Sequence, residues 1–129
     1  MGQRFIVDSN VIIDYAANRF NSAGNDFMEA IFNNDFLISV AVKIEVLGFN
    51  DLPSKLIALE EFVDAATVIP LDEAVTKQTI ELRRQYKKLK LGDAIIAATA
   101  LVHQLNLVTR NIDDFKHIQG LNLINPHKI

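Results

Sequence analysis

The sequence predicts an α/β fold, specifically a three-layer α/β/α sandwich around a mostly parallel central sheet. Short β-branched and apolar runs alternate with longer segments of helical spacing along the whole chain. Strands that alternate with helices are typical of parallel sheets covered by helices on both faces. A length of 129 residues is enough to bury one core, so we expect one domain over residues 1–129.

The first half of the chain contains three predicted strands and four predicted helices. The helix near residue 30 is indicated by Phe27, Ala30 and Ile31, which have i, i+3, i+4 spacing. Ser39 suits an N-cap, and Pro53 suits a first helical turn. The predicted elements are strands at 4–7, 36–38 and 67–69, and helices at 10–17, 22–33, 40–47 and 53–63.

The second half continues the alternation. Asp72 can cap a long helix that runs to about Lys88. Gly92 interrupts the pattern, and Asp93 is predicted to begin a very apolar helix. The remaining predicted elements are a helix at 93–105, strands at 107–109 and 121–124, and a short helix at 113–118.

Composition narrows the possible classes of protein. Half of the residues are apolar and 22% are charged, which excludes a disordered chain. No apolar run approaches the roughly 20 residues that span a bilayer, and an acidic residue comes too early for a signal peptide. Because the chain has no cysteine, we exclude disulfides and thiolate zinc sites and expect a cytoplasmic protein. The net charge of −3 argues against broad electrostatic coating of nucleic acid.

Four acidic positions suggest a single site. Ligands of wound parallel sheets bind at the carboxyl ends of the strands, and these positions fall near such ends. The candidate residues are Asp8, Glu45, Asp93 and Asp114. Each also has a plain structural interpretation: a helix N-cap for Asp8, a helix-start carboxylate favoured by the helix dipole for Asp93, an exposed helical turn for Glu45, and a capped surface turn for Asp113 and Asp114. The apolar neighbours of Glu45 argue that most faces of its helix are covered.

Convergence of these acids would favour a metal site. Carboxylates about 4 Å apart repel by roughly 4 kcal/mol per pair at an effective dielectric near 20. Hard divalent cations remove that repulsion and prefer oxygen ligands. Because the chain has no Cys and no His lies near Asp8, Glu45 or Asp93 in the sequence, we expect Mg²⁺ or Mn²⁺ rather than zinc.

Four sequence blocks resemble the PIN-domain family, and within it the VapC-type toxins. The blocks are Phe-Ile-Val-Asp8-Ser9-Asn10, Ile38-Ser39 with Glu45 beyond it, Leu91-Gly92-Asp93 with the alanine-rich run that follows, and Thr109-Arg110-Asn111 with Asp114-Phe115. Their order and spacing cover essentially the whole chain. The resemblance implies the α/β/α fold, metal-dependent hydrolysis of RNA, a homodimer and an antitoxin partner that covers the active site.

The resemblance also implies roles for individual residues. The four acids would be catalytic and hold the metal, although Asp113 and Asn111 compete with Asp114 for the fourth position. Val42 stands where relatives often have a small hydroxyl residue. The expected supporting residues are Ser9, Asn10, Thr109 and Asn111, and the expected substrate-binding residue is Arg110. The basic residues Arg83, Arg84, Lys87, Lys88 and Lys90 could contact phosphates, but a solvated helix face is the more natural interpretation.

Two other functions fit part of the pattern. Because Asp8 follows a first strand, it could be a phosphate-accepting nucleophile, but phosphatases of that kind generally have a second Asp at the position of Asn10. A receiver domain would want a lysine near Thr109-Arg110-Asn111. The other alternative is a non-catalytic PIN-like module that binds RNA or protein. The RNA that is cut and the number of metals are left open.

Overall fold

The computed structural model describes residues 4–129, in which five short strands form one parallel sheet. Residues 1–3 of the predicted domain lie outside the described residues. The strands are β1 Phe5–Val7, β2 Leu37–Ser39, β3 Thr67–Ile69, β4 Asn106–Val108 and β5 Leu123–Ile124. Their order across the sheet is β3-β2-β1-β4-β5, and every pairing is parallel. The predicted fold class is confirmed, with a sheet that is fully rather than mostly parallel.

Within residues 4–129, seven α-helices and a short 3₁₀ helix flank the sheet. They are α1 Ser9–Ala16, α2 Ser22–Phe32, α3 Val40–Leu47, α4 Pro53–Ala65, α5 Glu73–Gln85, α6 Leu91–His103, α7 Ile112–Phe115 and the 3₁₀ helix Pro126–Lys128. Helix α5 packs on α6, while α1, α3 and α4 pack on one another. No helix of residues 4–129 is both long enough and apolar enough to cross a membrane.

The core lies on both faces of the central strand β1. Ile6 and Val7 of this strand are completely buried, as are Leu107 and Val108 of the neighbouring β4. Burial of such side chains contributes about 1.5–3 kcal/mol each. This packing makes the central strands a rigid base for the loops that leave their carboxyl ends.

The sheet topology creates a crevice beside β1. The chain passes from β1 to β2 on one side, and β4 later joins β1 on the other side. Such a reversal of strand order is the usual ligand site of an open parallel sheet. Val7 pairs with Val108, and the backbone N–H of Asp8 donates to the carbonyl of Val108 at 3.0 Å. Asp8 and Thr109 therefore leave adjacent strands side by side.

Two predicted helix boundaries near the site are shifted, by three and two residues, and tertiary contacts explain the first shift. Helix α5 ends at Gln85 instead of near Lys88, because Leu89 is buried in the core and its carbonyl accepts a 2.7 Å bond from Arg83 Nη1. Helix α6 begins at Leu91 instead of at Asp93. Asp93 therefore lies in the first turn, where the helix dipole favours a carboxylate, as expected.

Several predicted caps are confirmed. Ser39 Oγ accepts from the Val42 N–H at 3.2 Å, and Asp72 accepts from the Val75 N–H at 3.0 Å. Pro53 lies in the first turn of α4. The remaining boundaries also agree within three residues, and some are identical, such as those of α3 and β3; small shifts are expected because helix and strand ends depend on long-range contacts.

Candidate functional site

Asp8 is a buried carboxylate at the junction of β1 and α1. It is only 4% exposed, and it caps α1 by accepting from the Ser9 N–H at 2.8 Å. Its other oxygen accepts from the Thr109 hydroxyl at 2.8 Å and from Asn10 Nδ2 at 3.0 Å. The N-cap interpretation is therefore correct for Asp8, but the contacts from a second strand exceed what a cap requires.

Thr109 links the two central strand ends. Its buried hydroxyl donates to Asp8 and accepts from the Asn111 N–H at 3.0 Å, while Asn10 Nδ2 approaches it at 3.4 Å. The Asn10 side-chain oxygen in turn accepts from the Arg110 N–H at 3.0 Å. The predicted supporting residues thus form a connected network that holds the Asp8 carboxylate in one orientation.

Glu45 and Asp93 approach this carboxylate from two helices. Glu45 projects from α3, and its carboxylate lies 3.5 Å from the Ser9 hydroxyl. Asp93 is half-buried in the first turn of α6. Together with Asp8, these two side chains line one pocket of about 300 Å³. Sequence positions that are far apart therefore meet at one end of the sheet.

The expectation that most faces of α3 are covered is wrong. Lys43, Ile44 and Glu45 are all exposed, and Ile44 has 67% of its surface accessible. The alternative interpretation, that Glu45 lies on an exposed turn of its helix, is therefore correct. Exposure and a place at the pocket are compatible, because Glu45 stands at the solvent side of the pocket wall.

The fourth acidic position lies at the edge of the site. Asp114 lines two adjacent clefts, and its charge raises the pKa of Asp93. Asp113 lines the same two clefts, but its side chain is 91% exposed and pairs with Lys116 at 3.0 Å. Asn111 lines the main pocket. These positions favour Asp114 over Asp113, and the assignment stays a proposal.

Burial and mutual repulsion shift the carboxyl pKa values in one direction. Burial raises the pKa of Asp8, against the lowering effect of its hydrogen bonds to Thr109, Ser9 and Asn10. Partial burial, followed by the charges of Asp8 and Asp93, raises the pKa of Glu45. Partial burial, followed by the charges of Asp8 and Asp114, raises the pKa of Asp93. The site therefore disfavours its own negative charge.

These shifts predict how stability changes with pH when metal is absent. A carboxyl group with a raised folded pKa makes the folded state bind more protons than the unfolded state, so stability falls as pH rises from its ordinary pKa through the raised one. An Asp93→Asn variant should therefore match the parent at about pH 4 and be more stable by about 1 kcal/mol or less at about pH 7. Urea unfolding in a chelating buffer measures this difference. A parent that is the more stable protein at the higher pH would contradict the repulsion.

The donor set fits a hard divalent cation. All the candidate ligands are carboxylate, hydroxyl or amide oxygens, and no histidine lines the pocket within residues 4–129. In that part of the chain, no three His, Asp or Glu side chains already enclose a metal position. Mg²⁺ is commonly held by one or two carboxylates with water completing its shell, so such an enclosure is not required.

The chain is similar to known proteins over most of its length. The profile of the PIN domain matches residues 5–121. The chain belongs to the PIN-domain family. A protein of Rickettsia felis named Ribonuclease VapC1 is 27% identical over 125 residues, which cover 92% of this chain and 93% of the relative. The resemblance read from the four sequence blocks is confirmed.

Solved structures resemble this PIN domain along nearly its whole length. A toxin–antitoxin complex from Klebsiella pneumoniae contains a chain that is 28% identical, with a TM-score of 0.76 and coverage of 96% of this chain and 98% of that chain. DNA-bound VapBC from Salmonella typhimurium has 22% identity, a TM-score of 0.80 and coverage of 97% and 99%. The second likeness, at its lower identity, supports the fold alone.

One charged cluster of the PIN domain escaped the sequence reasoning. Asp14 is completely buried in α1, and both of its oxygens accept from Arg110 Nη1, at 2.9 and 3.0 Å. Arg19 Nη1 lies 3.3 Å from Asp14 Oδ1, and His127 Nε2 lies 2.8 Å from Oδ2. The available signal was an aspartate inside an apolar helical run, which needs partners if it is buried.

Arg110 was expected to bind substrate, but in the structure it also forms an ion pair with a buried carboxylate. Its guanidinium group is bound to Asp14 and is not simply free to meet substrate, although it still lines the pocket. His127 is a further partner of Asp14. The basic residues Lys87, Lys88 and Lys90 are exposed outside the main pocket, but they do not lie on a helix face as expected, because α5 ends at Gln85.

A larger cleft lies at the opposite edge of the sheet. It has a volume of about 650 Å³ and is lined where β1, β2 and β3 begin, by residues that include Phe5, Phe27 and Thr67. Arg4 and Asp35 are its charged residues, and no group of carboxylates lines it. The smaller pocket at the carboxyl edge is lined by Asp8, Glu45 and Asp93, so it is the candidate site.

Proposed function

We propose that this PIN domain is a Mg²⁺- or Mn²⁺-dependent endoribonuclease and the toxin of a toxin–antitoxin pair. The observation that carries the proposal is the meeting of Asp8, Glu45 and Asp93, from three separate elements, at one pocket. The relative named Ribonuclease VapC1 supports RNA as substrate. The Klebsiella chain described as part of a toxin–antitoxin complex supports an antitoxin partner. A homodimer and a cytoplasmic location remain part of the proposal.

Asp8, Glu45, Asp93 and Asp114 are the residues we assign to cation binding and catalysis. Their oxygens suit a hard cation, and their repulsion is relieved when a cation binds. A bound Mg²⁺ or Mn²⁺ supplies Lewis-acid stabilisation for the negative charge that develops on the phosphodiester. Asp8, buried and central, is the anchor of the set.

The surrounding polar groups fix the anchor before substrate arrives. The Ser9 N–H and the Thr109 hydroxyl bind opposite oxygens of Asp8, which restricts rotation of the carboxylate. Asn10 bonds both Asp8 and the backbone of Arg110. Such outer contacts orient ligand groups and lower the cost of reorganisation during reaction. The Ser9 hydroxyl lies 3.5 Å from both Asp8 and Glu45, where it can orient a water molecule.

Cation dependence is the direct test of this function. The purified chain, separated from any partner, should cleave single-stranded RNA when Mg²⁺ or Mn²⁺ is added and stop when a chelator is added. Glu45→Gln should weaken cation affinity at least about tenfold, whereas the matched change Glu60→Gln on exposed α4 should have no effect. Gel analysis of RNA products and Mn²⁺ titration provide the two measurements. Cleavage that persists in chelator contradicts the cation assignment, and no cleavage under any cation contradicts the nuclease.

The alternative functions find no supporting observation. Asp8 is buried and has both oxygens hydrogen-bonded, so it is poorly placed as a phosphate-accepting nucleophile. No lysine lines its pocket within residues 4–129, as a receiver domain would require. A non-catalytic module would have no use for repelling carboxylates that share one pocket.

A further inference from the structure

Asp14 is a buried carboxylate that cation binding does not use. It lies in α1 and lines the same pocket as Asp8, but its oxygens are taken by Arg110, Arg19 and His127. Removing a carboxylate from water is costly unless donors replace the lost hydration. Three donors from three chain segments do so here.

Arg19 and Arg110 both bond the buried Asp14 carboxylate, yet both side chains stay partly exposed at the pocket. The Asp14 side chain is 1% exposed, whereas those of Arg110 and Arg19 are 46% and 59% exposed. Both Arg110–Asp14 bonds use Nη1, and among residues 4–129 the Nε and Nη2 groups of Arg110 have no hydrogen-bond partner. Each guanidinium is therefore held along one side, with further N–H donors left for a ligand.

We propose that Asp14 is a positioning residue that holds Arg19 and Arg110 as a phosphate-binding pair for the RNA strand. The inference rests on the proposed ribonuclease function and adds a substrate site to it. RNA carries negative charge into a pocket with carboxylates, in a chain whose net charge is −3, so local positive groups must offset that repulsion. Guanidinium groups match phosphate oxygens in bidentate geometry.

The geometry shows why Asp14 matters for this pair. A free arginine side chain samples many rotamers, and ordering it on substrate binding costs affinity. Asp14 pre-orders both side chains, and the two guanidinium groups outnumber the one Asp14 carboxylate, so this cluster partly offsets the negative charge of Asp8, Glu45 and Asp93 in the same pocket. His127, which also packs on Phe20 with ring centroids 4.3 Å apart, fixes the other side of the Asp14 carboxylate. The C-terminal segment thereby supports a substrate-binding group.

The first test is Arg19→Gln in the full chain, assayed on single-stranded RNA at several salt concentrations. We expect KM to rise about three- to tenfold while kcat stays within about twofold, because the residue binds phosphate and is not at the reacting bond. The salt dependence of kcat/KM should weaken by about 0.7 in log–log slope, the value for one lost phosphate contact on a single strand. Lys77→Gln, which removes an exposed charge on α5 away from the pocket, should match the parent.

The second test, Asp14→Asn, separates positioning from simple charge. This variant removes a negative charge, so long-range electrostatics alone predicts a lower KM. Loss of arginine ordering predicts a higher KM instead, by about the same three- to tenfold factor. A merely structural role would lower the Tm and the fraction of active enzyme without changing KM. If Asp14→Asn does not fold, Arg19→Gln decides, since Arg19 is largely exposed.

The outcomes distinguish this inference from the function on which it rests. A parent that cleaves RNA, with an Arg19→Gln variant that keeps the parent KM and salt slope, overturns the phosphate site alone. A lower KM in Asp14→Asn overturns the positioning role. A parent that neither cleaves nor binds RNA contradicts the ribonuclease proposal and removes this inference with it.

Discussion

An Asp8→Asn variant is expected to lose RNA cleavage roughly a thousandfold, corresponding to about 4 kcal/mol of transition-state stabilisation. Asp8 is the most buried of the candidate ligands and accepts bonds from both neighbouring strand ends. Asparagine keeps the shape of the side chain but removes the charge that holds a cation. Its amide also turns an acceptor into a donor opposite groups that already donate.

The fold should survive this substitution. Burial raises the pKa of Asp8, so the ionised side chain destabilises the metal-free protein, and its removal offsets the hydrogen bonds that are lost. We expect stability within about 1 kcal/mol of the parent, measured by urea unfolding in chelator. Asp64→Asn, a change on the exposed face of α4, is the matched control for cleavage. A folded Asp8→Asn protein that cleaves at the parental rate would remove Asp8 from the site.

The order of elements could be predicted from the sequence because local patterns encode it. Apolar runs such as Phe5–Val7 have no polar face, which indicates a strand buried on both sides. Side chains such as Ser39 and Asp72 cap helices through contacts within a few residues. These signals involve only neighbours in the chain, so a single sequence contains them.

The helix ends near the site could not be predicted in this way. The end of α5 depends on Leu89 entering the core and on Arg83 bonding its carbonyl. Tyr86, expected to continue the helix, has an extended backbone, and its side-chain hydroxyl accepts a hydrogen bond from the Gln119 N–H at 3.2 Å. These contacts join segments that are distant in sequence, so no local propensity reports them.

The candidate acids could be predicted from local sequence patterns, whereas the Asp14 cluster could not, because it depends on contacts between distant segments. Asp8, Glu45 and Asp93 stand in recognisable blocks, and the topology rule places their chain positions at one sheet edge. Asp14 shows only that a charge lies in an apolar run. Its partners, Arg110 and His127, are 96 and 113 residues away. A buried ion pair of this separation becomes visible only when the chain is folded.

Thr109→Val should reduce cleavage about 10- to 100-fold, the usual cost of losing an outer contact that orients a metal ligand. Valine keeps the volume of threonine but removes the hydroxyl that donates to Asp8 and accepts from the Asn111 N–H. Asp8 loses a donor that lowers its pKa, so that pKa should rise further. Because cation binding needs the ionised carboxylate, the acidic limb of the pH–rate profile should move to higher pH. The unsatisfied groups should also cost about 1–3 kcal/mol of stability.

Thr109→Ser is the variant that separates orientation from packing. It retains the hydroxyl and loses only a methyl group, so it should keep the parental pH profile and most of the activity, despite a stability loss of about 1 kcal/mol. Profiles of kcat/KM against pH for the three proteins measure the effect. If valine and serine variants are equally impaired, the deficit comes from packing at the end of β4. If neither Thr109→Val nor Thr109→Ser shifts the acidic limb, the Thr109 hydroxyl does not control the charge state of Asp8. A donor that stabilises the ionised carboxylate must leave a pH-dependent loss of activity when it is removed.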